Sequence, residues 1–328
     1  MADILFVRPT VVERCTAEDL PRLLARDDGF LWVDVPDCRE DDAHLLVDAF
    51  HFHPMAVQAC LARNHVPTLH AYEAYVFVVV HTPESGAAGH VHLLELDQFV
   101  GQRYLVTVHG PLNPMAPADA ALTETRATLE RIELGRAHPG SPAELSYAIT
   151  SAVARRQRAF IDTVARKVAT LEERVMASDF RDPDVLLDEM FRVRHELLTV
   201  RTMSAQTHDI YARMAGLTRL TPATARPVAE DLADQFDRVR SLADGEKEFL
   251  FGVIDLYQTR VTTKMTLAME RLAVLAAVTL PVTALASVYG MNVIVNDRTR
   301  VAQLALVLVI MATISVLLLR WTRRQGWW

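Results

Sequence analysis

Leu272–Tyr289 reads LAVLAAVTLPVTALASVY, Gly290-Met291-Asn292 follows directly, and after Val293–Arg300 the run Val301–Leu319 reads VAQLALVLVIMATISVLLL. Neither run holds a charged residue. Crossing the hydrocarbon takes roughly 20 mostly apolar residues at ~1.5 Å rise each, so both runs are long enough to span. The alternative, a buried helical pair in a soluble core, does not need segments so long and so apolar. The second run carries one amide, Gln303, and reads as lipid-facing. The first holds Pro281, Thr279, Thr283 and Ser287 and reads as packed inside a bundle, because a proline in a spanning helix needs neighbouring protein to support the freed backbone group.

Basic residues set the expected orientation. Lys264, Arg271, Arg320, Arg323 and Arg324 flank the pair on one side, against Arg298 and Arg300 in the connection. The excess places both termini in the cytoplasm, and Trp321, Trp327 and Trp328 fit an aromatic belt with a short tail at that interface. The first fifteen residues have early acids and no long apolar stretch, so no cleaved signal is expected. With 328 residues there is room for about two domains. A net charge of −7, acidic in the soluble part and basic only in the tail, argues against a nucleic-acid partner. Cys15, Cys38 and Cys60 lack paired spacing and read as free thiols. No phosphate-cradling glycine pattern and no nucleophile–base set is visible, so neither an organic cofactor nor an enzyme is expected.

Residues 1–115 read as a cytosolic α/β domain. Phe30–Val35 is strand-like and stops at Pro36; Glu40–Phe50 has helical period; His53-Pro54-Met55 opens a helix. Tyr75–His81, His90–Phe99 and Arg103–His109 are further strand candidates, the last two parted by a turn at Gly101-Gln102. Residues 116–227 read as a helical bundle with breaks near His138–Gly140, Phe180–Pro183 and Leu217–Pro227. Residues 228–292 read as one stalk helix that becomes the first membrane helix at about 271–290; 293–300 is an external loop, 301–320 the second membrane helix and 321–328 a basic, aromatic tail. His51/His53 and His90/His92 have i, i+2 spacing, which on a strand would put each pair on one face where zinc could bind; without cysteine partners at usual spacing they read as surface or cap histidines.

Along the stalk a stripe recurs at 3–4 spacing: Asp255, Gln258, Thr262, Met265, Met269, Leu272, Ala276, Leu280 and Thr283. It is polar at the cytosolic end, apolar in the middle and polar again towards Asn292. A bundle of such helices would enclose a path with wet ends and an apolar constriction, which can gate by dewetting. The same spacing equally describes a coiled-coil core in which methionine and leucine merely pack.

The tip motif Tyr289-Gly290-Met291-Asn292, the segments Leu31–Val35, Phe52-His53-Pro54, Tyr72–Val80 and Leu96–His109, and the C-terminal pair of apolar runs together resemble the CorA-type divalent-cation transporters. The resemblance covers most of the chain and implies an oligomeric funnel: an α/β cytosolic domain, a long helical stalk and a two-helix transmembrane hairpin, five copies of the stalk surrounding a pore in the cell membrane. It implies Mg2+ as the transported and regulatory ion, with Co2+ and Ni2+ as further substrates. Gly290, Met291 and Asn292 would form the selectivity filter, and Met269, Leu272 and Leu280 the gate, beside Met265 and Ala276. Thr283 would be a polar pore position and Asp255 an acidic ring low in the stalk. Asp231, with neighbouring Glu230 and Asp234, would bind inhibitory Mg2+ between subunits. Neutral carbonyls suit a hard cation that sheds water reluctantly. The loop departs from the acidic stretch many members carry: Val293–Arg300 has one acid and two arginines. Zinc-transporting relatives of the ZntB type share the tip motif, so a zinc transporter is the second reading, and a non-conducting membrane-anchored scaffold the third.

Overall fold

A computed structural model describes residues 2–8, 11–177, 183–216, 226–293 and 301–324; the side chains of 289, 291–293 and 301–304 lie outside the described set. The chain divides into two compact units, Met1–Val253 and Ile254–Trp328.

The first unit is built on a seven-stranded sheet of order β2-β1-β3-β7-β6-β5-β4. Its strands are β1 (Asp3–Val7), β2 (Val12–Cys15), β3 (Phe30–Val35), β4 (Thr68–Ala71), β5 (Tyr75–Ser85), β6 (Val91–Gly101) and β7 (Tyr104–Val108). All neighbours pair antiparallel except β3 and β7, whose parallel register sets Trp32 beside Leu105 and Asp34 beside Thr107. Helices α1 (Leu20–Leu24), α2 (Glu40–Phe50) and α3 (Pro54–Cys60) cover one face. The other carries α4 (Ala118–Ala121), α5 (Thr123–Glu133), α6 (Pro142–Met176), α7 (Pro183–Gly216) and the first part of α8 (Arg226–Val293). The last helix is α9 (Val301–Arg324).

The strands expected at Phe30–Val35, Tyr75–His81, His90–Phe99 and Arg103–His109 are present as β3, β5, β6 and β7. His51 and His53 do not lie on a strand. His51 ends α2 in the left-handed conformation (φ 56°), and His53 caps α3, its Nδ1 accepting from the Met55 amide at 3.2 Å. The chain breaks direction between the two helices, so the pair shares no strand face. His92 lies in β6 and His90 just before it, with ring centroids 4.8 Å apart. The break regions at 178–182 and 217–225 and the expected external loop at 294–300 fall outside the described residues.

The α1–α3 face of the sheet closes around Phe52. Its ring stacks on Phe99 at 4.0 Å and on Phe50 at 5.2 Å, and meets Tyr75 at 4.7 Å. Removing a buried aromatic ring of this kind costs about 3–5 kcal/mol, the lost transfer energy plus the cavity left behind. Phe52→Ala is therefore expected to lower the thermal midpoint of the detergent-solubilised chain by several degrees; an unchanged melt would show that this cluster does not hold the sheet to its helices.

Candidate ion pathway and regulatory site

α8 continues into the second unit, which also contains α9. At about 100° per residue, Asp255, Gln258, Thr262, Met265, Met269, Leu272, Ala276, Leu280 and Thr283 fall within an arc of about 100°. All nine are exposed, with Met265 60%, Met269 61%, Leu272 65% and Leu280 66% open. Tyr257 and Val274 project from other sides of the helix and are buried. Val307 and Thr322 of α9 are buried, and Met311, Ile314 and Leu318 between them are half-covered. Among the described residues the α8 stripe is left open along its whole length, while buried positions on α8 and α9 lie elsewhere. Both α8 and α9 contain stretches long and apolar enough to cross a membrane, and only 6% and 11% of those stretches are buried. A core helix of a soluble protein would be mostly covered.

The polar members of the stripe are already oriented. The Thr262 hydroxyl donates to the Gln258 carbonyl at 2.9 Å and that of Thr283 to the Thr279 carbonyl at 2.8 Å. With each hydroxyl hydrogen given to the preceding turn, the oxygen presents lone pairs outward. That suits a hydrated cation, whose water shell offers hydrogens.

The tip motif is helical. α8 runs through Gly290, Met291 and Asn292 to Val293. A methyl group added at Gly290 would meet nothing within 4 Å. A glycine inside a helix costs about 1 kcal/mol relative to alanine, and no contact among the described residues requires it. The side chains of Met291 and Asn292 lie outside the described residues.

The acidic candidates lie on the part of α8 in the first unit. Asp231 Oδ2 accepts from the Tyr147 hydroxyl at 2.7 Å and from Gln235 Nε2 at 2.6 Å. The Tyr147 bond, then the Gln235 bond, holds its carboxyl below the usual range, so it is an ionised, fixed oxygen donor. That fits a hard cation. Asp234 is exposed. Glu230 is committed to an ion pair with Arg226 at 2.9 Å. Among the described residues no group of three or more His, Cys, Asp or Glu within one chain could hold a metal ion, so a site at Asp231 needs further ligands from elsewhere. The sequence did not point to Tyr147; the i, i+4 spacing of Asp231 and Gln235 was the only available signal for the second partner.

Residues 27–324 match the family model described as CorA-like Mg2+ transporter protein. The chain is 24% identical over 312 residues to the putative metal ion transporter YfjQ of Bacillus subtilis, covering 94% of this chain and 93% of that one. It is 19% identical over 299 residues to the cobalt/magnesium transport protein CorA of Thermotoga maritima, covering 90% and 83%. Among solved structures, the complete CorA magnesium transporter from Methanocaldococcus jannaschii superposes with a TM-score of 0.81 at 16% identity, covering 100% of this chain and 99% of that one. With the family model spanning most of the sequence and the fold matched from end to end, the chain belongs to the CorA-like Mg2+ transporter family and is a divalent metal-cation transporter, not an enzyme.

Proposed function

We propose that this protein is a homopentameric Mg2+ channel of the cell membrane, with both termini cytoplasmic, through which the ion enters passively and which cytosolic Mg2+ closes. The observation that supports this best is the exposed α8 stripe, polar at its ends and apolar between. Copies of the chain gathered about that stripe would cover its methionines and leucines and leave a path along their common axis. In this reading Gly290, Met291 and Asn292 form the filter, Met269, Leu272 and Leu280 the constriction, with Met265 and Ala276 between and beside them, Thr283 a polar ring and Asp255 an acidic ring. A membrane potential supplies about 2.3 kcal/mol per charge per 100 mV, enough to draw a divalent ion inwards without a nucleotide.

The metal is tested by comparing entry of Mg2+, Co2+, Ni2+ and Zn2+ into proteoliposomes with a negative interior. Mg2+ entry that persists after proton gradients are collapsed is expected. Entry of Zn2+ without Mg2+ would move the protein to the zinc branch.

Closure by cytosolic Mg2+ is assigned to Asp231, with Asp234 and Glu230 near it. Asp231→Asn keeps an oxygen for Tyr147 and Gln235 but removes the charge. It is expected to raise the internal Mg2+ needed for half-inhibition at least ~5-fold, the lower end of typical site-to-site coupling. Unchanged inhibition would place the regulatory site elsewhere.

A further inference from the structure

Glu95 and Asp97 lie two residues apart on β6, on the face covered by α2 and α3. In register they stand opposite His81 and Val79 of β5, and Asp97 also opposite Val108 of β7. Asp97 is fully buried, and no donor among the described residues reaches either of its oxygens. Glu95 Oε2 accepts from the Asn64 amide at 2.6 Å, while its buried Oε1 has no donor. Residues two apart on a strand point to the same face, so the two carboxyls stand side by side. Two buried carboxylates side by side, with three oxygens lacking donors, are not stable as a doubly charged pair. A metal ion is not the answer here, because no three-ligand group exists among the described residues. A proton between them supplies the missing donor.

We propose that Glu95 and Asp97 share one buried proton, that this proton keeps the Arg63–His65 segment docked on the sheet, and that the segment loosens as pH rises. Asn64 ties the segment to the sheet, since it is fastened through both backbone groups. Its amide donates to Glu95, and its carbonyl lies 2.7 Å from His81 Nε2. Arg63 adds bonds to the carbonyls of Pro111 and Leu112.

Every group facing the pair bears on the sign. Burial raises both carboxyls, and for Glu95 the Asp97 charge raises it further while the Asn64 amide and Arg63 lower it. From α3, the Cys60 thiol lies against Asp97, whose carboxyl it lowers, and 3.4 Å from the Ala56 carbonyl, to which it donates. Cys38 lies on the same covered face, with Asp37 and Asp42 near it. Burial raises both thiols. His81 is pulled down to about 4 by burial, with His65 adding to it. Beyond β7, His109 Nε2 is held by Asp34 at 3.1 Å and Thr125 at 3.3 Å; Glu124 and its partner Arg156 lie behind it.

A carboxyl whose folded pKa is raised stabilises most below its unfolded value, near 4, and loses that contribution as pH rises through the folded value. His81 works the other way, but only below its unfolded value near 6.5; the thiols add their effect only above about 8.5. From about pH 7 to about pH 8 the carboxyl pair alone dominates, and one proton more in the closed form gives a tenfold rise in opening per pH unit.

The test is hydrogen exchange of the full chain in detergent, corrected for intrinsic rates and read at residues 60–66 and 93–99. In the wild type, opening at these amides is expected to rise about tenfold per pH unit over that window. In Glu95→Gln, which can donate to Asp97 without a titrating proton, opening is expected to be nearly flat. Equal slopes in the two proteins would overturn the proposal. Infrared spectroscopy decides it independently, even if the variant misfolds. The wild type at neutral pH must show the carbonyl stretch of a protonated, buried carboxylic acid, and its absence refutes the shared proton.

Discussion

Asn292→Ala is expected to bring Mg2+ entry down to the background of empty liposomes. In the proposed assembly each copy contributes one Asn292 side-chain carbonyl to a ring at the pore mouth. Mg2+ keeps its water shell until late, so the ring acts by accepting hydrogens from that shell, not by stripping it. A hydrogen bond contributes about 1 kcal/mol net, and five copies lose theirs together. Even half of that sum lowers occupancy of the mouth by about a hundredfold. The helix through Gly290–Val293 is continuous, and alanine is the better helix former, so the variant should assemble normally. Flux equal to the wild type from an intact oligomer would remove Asn292 from the conduction path.

Leu280→Lys is expected to abolish conduction by a different route. Leu280 is 66% exposed on the stripe, three residues, just under one turn, before Thr283 begins to make the path polar. On a shared axis, a lysine ammonium about 6 Å from a divalent ion opposes it by roughly 5 kcal/mol at an effective dielectric of 20, and every copy adds its own. The same substitution in a non-conducting coiled coil would act only by weakening assembly. The variant is therefore read twice, by Mg2+ entry and by oligomer mass. Lost entry with the oligomer intact supports a pore-lining leucine, whereas retained entry with the oligomer intact contradicts it.

The parts of this protein that were legible in the sequence are those where a period or a composition is imposed by solvent. The two apolar runs stand out because lipid tolerates no charge, and the α8 stripe because helical period survives in an isolated helix. β3, β5, β6 and β7 show as dense β-branched and aromatic runs. β1, β2 and β4 do not: β2 and β4 are four residues each, at the two edges of the sheet, too short to alternate visibly. The parallel pairing of β3 with β7 is likewise a tertiary fact, fixed by packing between distant segments.

Buried charge was illegible for a related reason. Nothing in the sequence marks Glu95, Asp97, Glu124 and Glu196 as buried, because sequence does not show what will cover them. In the fold Glu124 is taken up by Arg156 at 3.1 Å and Glu196 by Lys167 at 2.7 Å, while among the described residues neither Glu95 nor Asp97 forms an ion pair. Gly290 was read inside the long helix, and α8 passes through it; among the described residues nothing lies within 4 Å of a methyl group added there, so its small size gains a purpose if other copies approach closely.

The most direct test of the channel is Mg2+ entry into proteoliposomes carrying the purified wild-type protein, with the interior clamped negative and then clamped to zero. The account predicts saturable Mg2+ entry that grows with the negative potential and needs no nucleotide. A well-folded oligomer that passes no divalent cation at any potential would contradict it and leave the α8 stripe as a packing seam.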